Sequence, residues 1–146
     1  MRFLLVAVLL GVACVPGNAD AQRYLGNLSS NPYDANSTSN PYGAGSPYQA
    51  DGINNRYGPY GSPYSSRSVT NPYATDAPKL YDSQGNYHGK LSANRYDPES
   101  TSNPYGQYGS PYSADSINNR FGAGSPYSAD SPNNPYGSGL RILGDE

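Results

Sequence analysis

The chain predicts a mostly irregular, turn-rich tandem repeat with a small antiparallel β-sheet and few or no helices in the mature protein. Three observations carry this. Twelve four-residue turns of one chemical design follow one another: NPYD at 31–34, NPYG at 40–43, SPYQ at 46–49, NRYG at 55–58, SPYS at 62–65, NPYA at 71–74, NRYD at 94–97, NPYG at 103–106, SPYS at 110–113, NRFG at 119–122, SPYS at 125–128 and NPYG at 134–137. Aliphatic residues are scarce: Leu, Ile, Val and Phe number 11 among residues 22–146, far below the roughly 20% under which disorder becomes the default. One segment, Lys79 to Leu91, alternates apolar and polar residues on either side of Ser83-Gln84-Gly85-Asn86, the pattern of a β-hairpin.

The turns have a mechanism. Asn or Ser in first place bonds the backbone, Pro presets φ, and Gly in fourth place releases the chain. Asn before Pro is pushed out of the α region, and no stretch between turns is long enough for a helix. A net charge of only -2 and 16 Tyr argue for an ordered chain with a thin core, since each ring can bury about 150 to 250 Å².

In chain order, Arg2 and the run FLLVAVLLGVACV read as the charged and apolar regions of a signal peptide, and Ala19-Asp20-Ala21 as its cleavage site. The competing reading is a lipoprotein signal anchored through Cys14, against which Gly11 stands where Leu is usual. The expected organisation is a signal peptide at 1–21, a first Tyr/Pro/Gly/Asn half at 22–78, the hairpin at 79–91, and a second half with a C-terminal strand at 92–146. Tyr24 to Gly43 matches Tyr87 to Gly106 at 14 of 20 positions, 63 residues apart. QADGINNRYG at 49–58 matches SADSINNRFG at 113–122 at a spacing of 64, and the register returns to 63 beyond Gly61. The one-residue insertions fall in the joints GPYG and GQYG. Aromatics recur every nine and then six or seven residues, a unit of about 15 to 16 used three times per half. Segments 23–28, 79–82, 86–91 and 140–143 hold most of the aliphatic residues and are expected to form one sheet joining the halves.

Candidate chemistry is sparse. No catalytic, cofactor or metal residue is expected. His88 is the only His, its duplicate is Leu25, and a strand position tolerating either residue is simpler than a catalytic one. Asp97-Pro98-Glu99-Ser100-Thr101 and Asp34-Ala35-Asn36-Ser37 faintly suggest a calcium loop but lack its central Gly and bidentate Glu, so Asp-capped turns are expected. Asp51 and Asp115 are read the same way. Basic residues are too few and scattered for nucleic acid; Arg56 and Arg120, beside Tyr57 and Phe121, read as cation-π supports. Asn27-Leu28-Ser29 and Asn36-Ser37-Thr38 are glycosylation acceptors only in a eukaryotic route. Phe121 replaces Tyr57 in a matching turn, keeping the ring and dropping the hydroxyl, so the turn aromatics are expected to pack. Tyr60 and Tyr108 sit in the inserted joints and are the two rings expected to face outward as a surface contact.

The phrases YLGNLSSNPYDANSTSNPYG, YHGKLSANRYDPESTSNPYG, INNR, SPYSADS and LYDSQGNYHGKL resemble a set of small, uncharacterised bacterial exported proteins built from YxGxLSxNxYDPxSxxNPYG and SPYSxDSxNN repeats. Ala35 departs from the pattern where its duplicate has Pro98. The resemblance implies a bacterial origin and export. The expectation is a non-enzymatic, exported repeat protein, periplasmic or extracellular, with a structural or binding role at the cell envelope. Its partner would be an envelope protein or polysaccharide, with no nucleic acid and no membrane span after signal removal. Two alternatives stand beside it: a carbohydrate-binding module, favoured if exposed Tyr cluster, and a coat or matrix protein cross-linked through Tyr.

Overall fold

The computed structural model describes residues 22–145, so the expected signal peptide and Cys14 lie outside the described residues. Among these residues there is no helix, and four strands form one antiparallel sheet: β1 (Gln22–Leu28), β2 (Lys79–Tyr81), β3 (Tyr87–Lys90) and β4 (Leu140–Asp145). The expected hairpin is β2 with β3. Their loop is closed by Asp82, whose Oδ1 accepts the amides of Gln84 and Asn86 at 2.9 and 2.8 Å. Gly85 in that loop has φ 86°, a left-handed value open to Gly at no steric cost.

Strand order is β1-β4-β2-β3. The first turn array therefore leaves from one edge strand and returns to an inner strand, and the second does the same from the opposite edge. Registers correspond across the duplication: Asn27 pairs with Arg141 and Tyr24 with Leu143, as Lys90 pairs with Lys79 and Tyr87 with Tyr81. Each edge strand carries a bulge between its pairs, with Gly26 at φ 113° and Gly89 at φ 93°. Both edges are engaged at one point. Asn27 and Lys90 each form a parallel bridge, to Ser37 and Ser100 of the array that follows, which occupies each edge at that position.

The arrays climb in steps of three residues. From Ser110 to Gly137, nine successive amides at 113, 116, 119 and onward donate to the carbonyl three residues back, at 3.0–3.4 Å. Every position that accepts or donates on this staircase is Ser, Asn or Gly. Ser37, Ser68, Ser100, Ser116 and Ser131 are fully buried on its inner side. Each hydroxyl accepts the amide two residues on, so these buried polar groups are satisfied. Successive coils are tied by Asn: the Asn118 amide reaches the carbonyls of Thr101 and Gly109, and the Asn133 amide those of Ile117 and Gly124. Asn54 does the same for Thr38 and Gly45, while Thr70 donates its hydroxyl to Gly61 O.

The apolar core is small. Leu25, Ile53, Tyr60, Leu80, Leu140 and Ile142 form it, flanked by Leu28, Val69, Leu91 and Ile117. β4 alternates buried and exposed residues from Leu140 to Ile142, so its inward face delivers two of the six core side chains.

Candidate functional site

The twelve turn rings point outward. Tyr33, Tyr42, Tyr48, Tyr57, Tyr64, Tyr73, Tyr96, Tyr105, Tyr112, Phe121, Tyr127 and Tyr136 are 85–95% exposed, which overturns the expectation that they pack. The reason is local. In every turn the amide of the ring residue donates to the first residue's side chain, as from Tyr42 N to Asn40 Oδ1 at 2.9 Å and from Tyr48 N to Ser46 Oγ at 3.1 Å. That bond turns the first side chain inward under the backbone, and the Cα–Cβ bond two residues later projects to the other side.

Asn organises the rings in pairs. Asn40, Asn55, Asn71, Asn103, Asn119 and Asn134 each use Oδ1 to hold their own ring residue. Each then uses Nδ2 to reach the carbonyl six residues back, at 2.9–3.1 Å. That carbonyl belongs to the residue after the preceding ring, so one amide side chain holds two turns together. Clefts lie at the Tyr96/Tyr105 and Tyr112/Phe121 pairs. Arg95, Tyr96, Asn103, Pro104 and Tyr105 line one of about 340 Å³; Pro111, Tyr112, Asn118, Asn119, Arg120 and Phe121 line another of about 450 Å³. Arg56 and Arg120 lie 5.9 Å from the centroids of Tyr57 and Phe121, as the cation-π reading expected.

Tyr60 and Tyr108 are placed opposite to expectation. Tyr60 is 1% exposed, lies against Gly144, donates its hydroxyl to Asp145 O at 2.5 Å, and has the Arg67 guanidinium 5.4 Å from its centroid. Tyr108 is half-buried over Gly89 and meets Tyr87 edge-on, centroids 5.4 Å apart. The inserted residue in each joint does not push the ring out. It supplies the slack that lets a ring fold over a strand glycine.

The carboxylates serve the fold. Asp34 and Asp97 cap their turns by accepting the amides of Asn36 and Glu99, both at 2.9 Å. Asp51 and Asp115, expected to close turns, instead take Arg23 Nη1 at 2.8 Å and Gln107 Nε2 at 2.7 Å. His88 sits on β3 with Nε2 3.1 Å from Asp82 Oδ2, and its Nδ1 is buried without a partner among the described residues. Burial alone would raise the Asp82 carboxyl. Bonds from the Asn86 backbone, His88, the Asn86 side chain and the Gln84 backbone outweigh it and hold the group at about 2. Tyr87 donates to Glu99 Oε1 at 2.6 Å, and burial followed by that bond drives its phenol well above the ordinary range. Among the described residues no three His, Cys, Asp or Glu side chains gather as a metal site, and no helix is long and apolar enough to cross a membrane.

No family model matches the chain, and no curated protein or solved structure matches it either.

Proposed function

We propose that this is an exported, non-enzymatic bacterial protein that acts as a binding or structural element of the cell envelope, with its ring array as the working surface. One observation carries the reading: twelve aromatic side chains stand 85–95% exposed on turns whose hydrogen bonds fix them there. Apolar surface left in water forgoes about 25 cal/mol per Å² of stabilisation, and a chain with so few aliphatic residues has little other apolar surface to bury. Outward presentation on rigid supports suits contact with a partner, because little backbone freedom is lost on binding.

The clefts at Tyr96/Tyr105 and Tyr112/Phe121 favour polysaccharide as the partner. Two ring faces and an Asn-containing floor offer stacking for a sugar and polar groups for its hydroxyls. The test is co-sedimentation of the purified mature chain with envelope fractions and with insoluble cell-wall polysaccharide. A variant carrying Tyr96→Ser, Tyr105→Ser, Tyr112→Ser and Phe121→Ser should remain folded and lose binding. Binding as strong as that of the parent would overturn the assignment of the surface.

A further inference from the structure

The two halves differ at one place where the chain itself shows what fits. At the bulge of β3, a Cβ built on Gly89 would stand 2.6 Å from Tyr108 Cβ and 2.7 Å from Glu99 O. At the matching bulge of β1, a Cβ on Gly26 would stand 2.6 Å from Ala44 Cβ and 2.9 Å from Asn36 O. Ala44 and Tyr108 therefore leave the backbone from equivalent places. Beyond Tyr108 Cβ the ring continues across Gly89 to meet Tyr87 at an interplanar angle of 67°. Beyond Ala44 Cβ there is only an open cleft of about 240 Å³, lined by Tyr24, Gly26, Ala35, Ala44, Gln49 and Asp51 among others. Tyr24, the counterpart of Tyr87, is 46% exposed.

We propose that this cleft is a seat for a tyrosine ring, filled in solution by an exposed turn tyrosine of a second copy of the chain. The seat has the parts that surround the Tyr108 ring: an aromatic wall in Tyr24, where the other half has Tyr87, and a floor with no side chain in Gly26, where the other half has Gly89. The occupant is abundant, since eleven of the chain's own tyrosines are at least 85% exposed. Each rides on a turn already closed by hydrogen bonds, so docking orders a ring with two side-chain torsions and little further backbone. A ring on one surface entering a seat on another is a heterologous contact. Such contacts extend into chains of molecules unless the rotation closes them, which fits a structural element. The inference goes beyond the envelope reading and is tested without any envelope component.

Sedimentation velocity of the purified mature chain from micromolar to millimolar concentration should show an average mass that rises with concentration. Replacing Gly43-Ala44-Gly45 by the joint Gly106-Gln107-Tyr108-Gly109 supplies the seat with an internal ring. That graft should weaken association by about tenfold or more, the effect of losing one buried aromatic anchor. N-acetyl-tyrosinamide added in excess to the parent should shift the amide resonances of Tyr24, Gly26 and Ala44 and lower the average mass. A monomer at every concentration overturns the proposal, and so does association that a folded graft leaves unchanged. If the graft does not fold, the probe decides alone: resonance shifts confined to other residues overturn the seat.

Discussion

Tyr57 and Tyr60 stand three residues apart and lie at opposite extremes of exposure, 89% and 1%. Both are Tyr in a Gly- and Pro-rich joint, so residue type does not separate them. What separates them is the length of the staircase step on which each lies. Tyr57 occupies the third position of an NRYG turn closed over three residues, whereas Tyr60 lies on the four-residue step where Ser62 N donates to Gly58 O at 3.0 Å. Mutational cost should follow the step on which a ring lies. Tyr42→Ser, Tyr57→Ser, Tyr105→Ser and Tyr136→Ser, each at a ring in water, are expected to change stability by no more than about 0.5 kcal/mol. Tyr60→Ala is expected to remove about 3 to 5 kcal/mol, as for other large-to-small aromatic losses in a core. Urea unfolding of the five variants checks both. A loss above about 2 kcal/mol at the turn rings would contradict their exposure.

At the scale of the element, the β2–β3 hairpin depends on Asp82. Its carboxylate gathers the Gln84 and Asn86 amides, the Asn86 side chain and His88 in one loop. Its folded value of about 2 lies below the ordinary 3.8. A carboxyl depressed by folding stabilises the fold fully above its unfolded value, and that contribution is lost as pH falls through the folded one. The stabilisation should thus be complete above about pH 4 and decline toward pH 2, with a size on the order of 1 to 2 kcal/mol. Asp82→Ala should flatten this part of the stability-against-pH curve and lower stability at neutral pH. A curve of unchanged shape in the variant would show that other carboxylates carry the acid sensitivity. The hairpin was legible in the sequence because alternation flanked a four-residue turn segment. The bulges were not, since a Gly in a short strand reads equally as a weak strand position.

At the scale of the whole molecule, β4 joins everything. It lies between β1 and β2, belongs by sequence to the second array, and pairs with the strands that begin and end the first. Leu140 and Ile142 are 2% and 0% exposed. The halves should therefore unfold together. Removing residues 140–146 is expected to abolish the cooperative transition, and Ile142→Ala to cost about 2 to 5 kcal/mol. In the intact chain, amides of β1, β4 and β2 should exchange slowest, with the turn staircases faster. Slow exchange retained in the truncated chain would refute this account of β4.

The order of the turns, the near-absence of helix and the positions of four strands were determined by the sequence alone, because they follow from local preferences: Pro and Asn geometry, Ser and Asn side chains bonding their own backbone, and two-residue alternation. The three-residue spacing of Ser, Asn and Gly was also written there, partly hidden by the single-residue insertions that break its phase at Gly61 and Gly109. Tertiary structure alone decided which rings face water. In a chain with few aliphatic residues every Tyr is a plausible core residue by composition. The choice was made by which backbone positions lie over a strand glycine, as Tyr60 does over Gly144 and Tyr108 over Gly89. It also left Gly26 with only Ala44 above it, a vacancy that exists because two similar halves were folded onto one sheet with one joint shorter than the other.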